Sequence, residues 1–542
     1  MGTAVGAVDA DVAAFAGFGD DFEASGLQLV AHHPDPFGWA DEDAFFFGAH
    51  FRKHFVVLAE LVDELAFFVV RDDHRPVADF QAGDAEAVDI IATAITLGSG
   101  VAYKATDILN AEQDGLAALH EAGWPDAVGL ERSITVDHAT REVAVSLNFA
   151  PGIFSRTGEI ALVSEGWNPQ FIQGLSPLEA GQPLRRSRLN EYRSRLNALE
   201  GVSGTRLTLE TPDERGVRSV GITLEPAPRN AIEVALSYST SEGGGATASW
   251  DRRNLLGEDQ SLTVEAQLQT LTQGVSGSLA FPHWRRYGQT LRLNAGVISE
   301  ETDAFDQQEI SLGFNLNRAL RTHLQYAIGS EVDFSRVTNT QGVTDTISVE
   351  AGLGLTLDRR DDPLEPTEGF RARAELVPTM SFGDTDGQYI RIETGGSAYW
   401  QVTDSWVLAA RTRLGSLVGA SLGDIPADHR FYSGGGGSVR GFDYQSLGPL
   451  ADGLPSGGLS VAEAGLEMRW RDTSRWGGVV FIEAGAAGED TVPTVEDVRA
   501  AIGIGARYYL DFAPVRIDLA TPLDRRDGES AVHLYFSIGQ AF

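Results

Sequence analysis

From Pro228 to its last residue, the chain repeats one pattern: short runs in which apolar and polar residues alternate. Residues 232–240, 261–269 and 289–297 are examples, and helical spacing of apolar residues is absent after Pro228. Glycine, with 61 residues in the chain, is concentrated in this half. A period of two over such a length predicts many antiparallel strands joined by tight turns. With strands of roughly 9–11 residues, this stretch holds about sixteen membrane crossings.

The alternative to a membrane barrel is a soluble array of β-sandwiches, and the last strand helps to choose between them. Val532, Leu534, Phe536 and Ile538 share one face of it, as in a closing strand whose apolar face meets lipid. No stretch provides the roughly 18 uncharged apolar residues that a membrane helix needs, because acidic residues interrupt even the most apolar run, 55–70. Since only helices and closed barrels cross lipid, we expect a transmembrane antiparallel β-barrel of about 16 strands.

Residues 1–95 differ from the rest of the chain. Acidic residues outnumber basic ones there by 18 to 4, and five of the 11 histidines lie in this segment. No basic start followed by an apolar core marks an export signal, although a barrel needs export. The segment is either an acidic domain whose signal is not visible, or residues that are not the native N-terminus, after a misplaced start or a shifted frame. In both cases we expect that residues 1–95 do not form a well-packed domain.

Two units of about 70 residues lie between this segment and the alternating region, each ordered strand, helix, strand, strand. The elements predicted for the first unit are Ala92–Leu97, Ala105–Ala122, Ser133–Asp137 and Glu142–Phe149. Those predicted for the second are Gly158–Val163, Arg186–Leu199, Thr205–Glu210 and Ser219–Leu224. The predicted domains are therefore 1–95, 96–152, 153–228 and 229–542.

Composition and motifs argue against several functions. The net charge of −35 repels phosphates, so no nucleic acid partner is expected, and the absence of cysteine excludes disulfides and thiolate metal sites. Residues 419–423 match a G-x-S-x-G nucleophile elbow, but no helix follows them. Residues 434–437 lack the Gly-Lys-Ser/Thr of a phosphate loop. His32-His33 is an isolated pair. We predict no enzyme activity, no metal site and no cofactor.

Four segments carry a resemblance to a known family. The clearest is Val439-Arg440-Gly441-Phe442, within residues 430–449, and the others are 358–369, 481–485 and 537–542. Together they resemble the outer-membrane assembly superfamily, which includes BamA, TamA and the two-partner secretion transporters. The resemblance covers residues 96–542, and it implies that the two N-terminal units are α+β POTRA domains in the periplasm of a bacterial outer-membrane protein.

The layout is most similar to TamA, the outer-membrane subunit of the translocation and assembly module. BamA carries more POTRA domains than 542 residues can hold beside a barrel. A TamA-like chain is expected to have three POTRA domains, whereas only two are legible here and residues 1–95 take the place of the first.

Arg440 is the site residue that the resemblance singles out. The glycines at 434–437 and 441 allow its loop to fold tightly into the barrel lumen, where a guanidinium needs carboxylate partners. Glu483 is the first candidate, because it occupies the family's acidic strand position, and Glu467 is the second. The alternative is that Arg440 is an ordinary surface charge on a loop.

The resemblance implies a device for inserting other proteins. Client outer-membrane proteins or autotransporters would arrive at the POTRA domains, with a TamB-like periplasm-spanning protein as a further partner. The barrel would then open between its first strand and its last, 532–541. The residues expected at this seam are Ile232, Val234, Leu236, Tyr238, Phe536, Ile538, Gly539 and Phe542. Two alternatives remain open: a two-partner secretion pore for one dedicated protein, and a passive porin.

Overall fold

The computed structural model describes residues 69–70, 85–95, 104–137, 142–471, 475–494, 497–510 and 514–538. These residues form two compact regions, an N-terminal region that ends at Ala227 and a C-terminal region that begins at Pro228. The N-terminal region contains the two units predicted from the sequence. In the described residues, no helix combines the length and apolar character needed to cross a membrane.

The first N-terminal unit is a small sheet with two helices packed on it. Its strand order is β1-β4-β3, with β1 parallel to β4 and β3 antiparallel to it. The core joins residues of both helices to Leu147 and Phe149. The elements are β1 (Val69–Val70), α1 (Ala85–Ala94), α2 (Ala105–Ala122), β2 (Val128–Gly129), β3 (Ser133–Asp137), β4 (Glu142–Ser146) and β5 (Phe149–Ala150).

This unit corrects two expectations. Ala92–Ala94 are the last turn of α1, so the strand predicted over Ala92–Leu97 is wrong where the structure describes it. Because β1 and α1 belong to the unit, a boundary at residue 96 cuts through it, and part of 1–95 is packed rather than separate. By contrast, α2 matches its predicted bounds and ends at Gly123, whose φ of +116° is costly for other residues.

The second unit repeats the plan, and its sheet has the order β6-β8-β7, with β8 between a parallel and an antiparallel neighbour. Tyr192 and Leu196 are fully buried against Ile172 and Ile222. The short helix α3 is an element that the sequence analysis did not predict. The elements are β6 (Arg156–Leu162), α3 (Pro169–Gly174), α4 (Arg186–Asn197), β7 (Val202–Leu209) and β8 (Val217–Pro226).

Hydrogen bonds connect the two N-terminal units. The Glu121 carboxylate, at the end of α2, accepts the backbone N–H of Ser187 at 2.7 Å and its hydroxyl at 2.5 Å. Ser187 lies in the first turn of α4, where backbone donors lack helical partners and the helix dipole favours an anion. Asp126 accepts from Arg218 at 2.6 Å. The second unit thus takes a helix cap from the first.

From Asn230 on, the described residues form a closed antiparallel barrel of 16 strands, which confirms the predicted barrel. Its strands are β9 (Asn230–Ser239), β10 (Gly243–Arg252), β11 (Ser261–Gln269), β12 (Thr272–Phe281), β13 (Gln289–Glu301), β14 (Asp306–Arg321), β15 (Leu324–Asn339), β16 (Gly342–Asp358), β17 (Gly369–Gly383), β18 (Gly387–Thr403), β19 (Trp406–Val418), β22 (Ser460–Arg471), β23 (Trp476–Gly488), β24 (Arg499–Tyr509), β25 (Pro514–Pro522) and β26 (His533–Ile538).

One connection is much longer than the others. Residues 419–459, here called the lumen loop, join β19 to β22 and contain two 3₁₀ turns, Leu422–Asp424 and Ala427–His429. A small hairpin, β20 (Leu450–Ala451) with β21 (Leu454–Pro455), also lies within it. Its residues Phe431, Val439 and Phe442 are buried, so this part of the loop packs inside the barrel. The 419–423 segment leads into a 3₁₀ turn and not into the helix that a nucleophile elbow requires.

Candidate functional site

Strand alternation decides which side chains line the barrel interior. On β22 and β23, Glu467 and Glu483 are 1% exposed, whereas their neighbours Leu466 and Ile482 point outward and are exposed. β25 places Asp518 inside in the same way, next to outward-facing Leu519. Because successive strand residues face opposite sides, β22, β23 and β25 all present carboxylates to the lumen.

The lumen loop brings Arg440 to these carboxylates, and the guanidinium is 3% exposed. The glycine beside it makes the approach possible. Gly441 has a φ of +99°, and a Cβ at this position would lie 2.6 Å from the Ala501 Cβ of the wall. A larger residue at 441 would therefore suffer both backbone strain and a clash.

Arg440 contacts three carboxylates in this ion cluster, defined as Arg440, Glu467, Glu483 and Asp518. Its Nη2 lies 2.5 Å from Glu467 Oε1 and 2.6 Å from Glu483 Oε1, and its Nη1 lies 2.8 Å from Asp518 Oδ2. The guanidinium also stacks over the Phe481 ring, with its carbon 3.6 Å from the ring centroid. The structure thus brings Arg440 together with both carboxylates named from the sequence, and it adds Asp518 and Phe481.

Each carboxylate of the ion cluster has a second arginine partner on the barrel wall. Arg469 Nε lies 2.9 Å from Glu467 Oε2, Arg411 Nη2 lies 3.2 Å from Glu483 Oε1, and Arg507 binds Asp518. Each of the three carboxylates is therefore held by an arginine of the wall as well as by Arg440 of the lumen loop.

The other residues of the Val439–Phe442 segment are fixed by packing. Val439 and Phe442 form a small buried cluster with Leu447 and Ala501. The backbone N–H of Gly441 donates to the Tyr535 hydroxyl of β26 at 2.9 Å. The loop is therefore joined directly to the strand that closes the barrel.

A second arginine, Arg499, contacts the ring of Phe442. The Arg499 guanidinium lies 4.7 Å from the centroid of the Phe442 ring and binds Glu529, in the loop between β25 and β26, at 2.5 Å. The hydrogen bond from Arg499 lowers the pKa of Glu529 to about 2. The loop between β25 and β26 is therefore connected through Arg499 to the lumen loop at every pH at which Glu529 is ionised.

The seam between β9 and β26 is short. Tyr535 pairs with Ser239 and Phe536 with Tyr238, and these are the β9–β26 register pairs found within the described residues. On its other side, β9 pairs with β10 along its whole length, Asn230–Ser239. Close to the pairing, Thr240 N donates to Leu534 O at 3.1 Å. In the part of the seam that the structure describes, pairing lies at the C-terminal end of β9.

The residues predicted for the seam are placed as follows. Ile232, Val234, Tyr238 and Phe536 point out of the barrel and are exposed, Ile232 to 70%. The backbones of Leu236 and Ile538 lie in β9 and β26 and pair with β10 and β25. Gly539 and Phe542 lie outside the described residues.

The comparisons with known proteins agree with this geometry. A family model described as the Omp85 superfamily domain matches residues 254–542, slightly more than half of the chain. The chain belongs to the Omp85 superfamily. An Omp85 barrel lies in the bacterial outer membrane, and the domains that precede it lie in the periplasm.

Individual relatives of this Omp85 chain are distant. It is similar to the outer membrane protein assembly factor BamA of Nitratidesulfovibrio vulgaris (strain Hildenborough), with 25% identity over 390 residues, which is 67% of this chain and 47% of that protein. The chain thus spans about half the length of the curated relative that it matches.

Two solved structures share the Omp85 fold. BamA from Haemophilus ducreyi lacking POTRA domains 1–3 has a TM-score of 0.74 at 16% identity, covering 88% of this chain and all of that one. CdiB from Acinetobacter baumannii has a TM-score of 0.50 at 14% identity, covering 91% and 97%.

Proposed function

We propose that this protein inserts or assembles other β-barrel proteins in the outer membrane, with its own seam as the place where a client strand is accepted. The observation that carries the proposal is the seam itself, in which two register pairs between β9 and β26 close the barrel among the described residues. A strand edge with unpaired backbone groups is a template for another strand. The similarity to a BamA assembly factor supports the same role.

The two N-terminal units act in this proposal as POTRA domains. Their sheets have outer strands with one edge outside the sheet, β3 in the first unit and β7 in the second. An extended client segment can add to such an edge through main-chain hydrogen bonds, and this needs little sequence specificity. Clients would be unfolded outer-membrane proteins or autotransporters. We further propose a role of the TamA type, which the sequence layout supports, with a TamB-like protein as the periplasmic partner.

No nucleotide or other cofactor is needed for this role. Folding of the client supplies the free energy, because each new strand pairs its backbone groups and buries apolar side chains in lipid. The seam of the Omp85 barrel lowers the barrier by offering a strand edge already in the membrane.

The test uses the full chain reconstituted in liposomes and a urea-unfolded eight-strand barrel as client. The fraction of folded client is read from its heat-modifiable migration on a gel. We expect faster client folding than in empty liposomes or in liposomes that contain a porin. Equal rates would refute the proposal, and steady ion conductance together with equal rates would favour the porin.

Two-partner secretion is the competing function. The fold similarity to CdiB is the reason to test it. A secretion pore moves one dedicated protein across the membrane and does not fold unrelated barrels. Accelerated folding of an unrelated client therefore separates the two.

A further inference from the structure

A second polar cluster lies in the lumen, away from the ion cluster. Asp333 on β15, Glu350 on β16 and His429 of the lumen loop place one ligand atom each within 4.8 Å of one another. We propose that these three side chains bind a divalent transition-metal cation of the Zn²⁺ class, which fastens the lumen loop to the barrel wall.

A buried oxygen without a partner points to a missing cation. Asp333 is 4% exposed, and among the described residues its Oδ2 has no hydrogen-bond partner. That oxygen faces the cluster, 4.0 Å from His429 Nε2, which is too long for a hydrogen bond. An unpaired buried carboxylate oxygen is costly, and a cation between it and the imidazole removes the cost.

Charge around the cluster points the same way. Glu331 lies directly opposite Glu350 in the β15–β16 register, and like charges in that arrangement repel. Asp428, next to His429, also has an Oδ1 atom without a partner in the described part of the chain. Arg373, Arg391 and Arg413 line the same cavity, but each is paired with a glutamate outside the cluster, Glu375 or Glu393. The acidic charge is therefore left for another cation.

The imidazole is oriented for coordination. Two groups lie near His429 Nδ1: Tyr389 Oη at 2.6 Å and Glu350 Oε1 at 3.5 Å. With the proton on Nδ1, the ring donates to Tyr389 and presents the lone pair of Nε2 toward Asp333, and such a second contact commonly fixes the tautomer of a metal-binding histidine.

The donor set and the access suit this class of cation. One imidazole with two carboxylates matches Zn²⁺ or a neighbouring transition metal better than Ca²⁺ or Mg²⁺, which prefer oxygen alone. Bonds of roughly 2.0–2.2 Å to one cation would draw the three ligand atoms, which lie within 4.8 Å of one another, closer together. The cavity of about 350 Å³ that Glu350, Tyr389 and His429 line gives the cation a route in and leaves room for water at an open position.

The consequence is a second attachment of the lumen loop. Arg440 holds the loop to β22, β23 and β25, whereas the metal would hold its 3₁₀ turn at Ala427–His429 to β15 and β16. The two attachments lie on separate parts of the wall and use different chemistry, so a chelator would release one of them alone.

The experiment measures Zn²⁺ binding to the chelator-treated full chain in detergent by equilibrium dialysis, with Co²⁺ as a spectroscopic probe of histidine coordination. The variants are His429→Gln, Glu350→Gln and Asp333→Asn, and the matched control is His323→Gln in the turn between β14 and β15. Heat-modifiable migration verifies that each barrel is folded.

We expect His429→Gln to lose one bound Zn²⁺ per chain, or to bind it at least about tenfold more weakly, together with the Co²⁺ signal. Glu350→Gln and Asp333→Asn should weaken the same site, and His323→Gln should match the unmodified chain. Equal binding by the unmodified chain and folded His429→Gln, or no binding by the unmodified chain, would overturn the proposal. If one carboxylate variant fails to fold, the other and His429→Gln still decide the outcome.

Discussion

Arg440 and Glu483 are joined through both backbone and side chain: the Arg440 N–H donates to Glu483 Oε2 at 2.8 Å, and its Nη2 lies 2.6 Å from Oε1. The wall carboxylate thus fixes the path of the lumen loop as well as its charge. A substitution that removes only the guanidinium leaves the backbone bond in place.

Replacing Arg440 with alanine should destabilise the docked lumen loop by about 1–3 kcal/mol, less than the roughly 3–5 kcal/mol typical when one partner of a buried pair is removed. The reason is that Glu467, Glu483 and Asp518 keep their wall arginines. Arg440→Lys should lose less, because a cation remains. Urea titrations of gel migration, with protease sensitivity of the loop, measure the difference. A loss equal for both variants would contradict this account, and a charge swap with Glu483 should restore part of the loss.

A methyl group added at Gly505, in β24, should disturb the same ion cluster by displacing Asp518. A Cβ there would overlap the Asp518 carboxylate and lie 2.7 Å from Arg507 Nη1. We expect Gly505→Ala to cost about 1–3 kcal/mol through forced side-chain shifts. Gly352→Ala is the matched control, since its Cβ would meet only Val377 at 4.0 Å. Equal urea midpoints for the two variants would show that the wall tolerates the change.

A disulfide across the seam should block client insertion without unfolding the barrel. Tyr238 and Phe536 face each other in register, at a spacing that a disulfide can bridge, and the chain has no cysteine of its own. We expect Tyr238→Cys/Phe536→Cys to crosslink under mild oxidation and to stop accelerating client folding until it is reduced. The control pair Ala248→Cys/Ala266→Cys joins β10 to β11 and should leave activity unchanged. Full activity with the seam locked would exclude lateral opening while leaving the fold intact.

Acid should loosen the contact between the two periplasmic units. Burial lowers the pKa of His120, whose Nε2 lies 2.9 Å from Ala127 O and whose Nδ1 lies 2.9 Å from Arg186 Nη1. Because the folded pKa lies below the unfolded value of about 6.5, the unfolded state binds more protons, and stability falls as pH drops through and below about 6.5. The protection factors of the α2 and α4 amides, which correct for the intrinsic effect of pH on exchange, should fall as the pH drops from about 7.5 to about 5.5. His120→Gln should remove this dependence, and an unchanged pH profile in that variant would assign it to another group.

Sequence reasoning found Arg440, Glu483 and Glu467 because a distinctive loop motif and a strand motif point to them. Asp518 also lies in an alternating strand. It shares a face with Arg516, two residues earlier, and two charged residues on one face indicate the face that lines the barrel interior. What the pattern could not supply was which strand comes within reach of the loop, because that depends on barrel closure and on the depth of the loop. The Asp333, Glu350 and His429 cluster was beyond sequence reasoning for the same reason.

The first helix shows a different limit. Ala87, Ile91 and Ile95 are buried on one face of α1, four residues apart. A spacing of four places residues on one side of a helix and also on one side of a strand, so a short apolar run fits both periods. The β-branched residues near Ile91 favoured a strand, and packing against α2 decides for a helix.

The hydrogen bonds that Ser187 donates to Glu121 affect how truncated forms of the protein behave. Deleting the first periplasmic unit would take away the cap of α4 in the second, a change worth about 0.5–2 kcal/mol to a helix. Loss of activity in such a deletion would then mix two causes: the missing domain and a frayed neighbour. A graft that supplies an acidic or hydroxyl cap of its own before Arg186 would separate them.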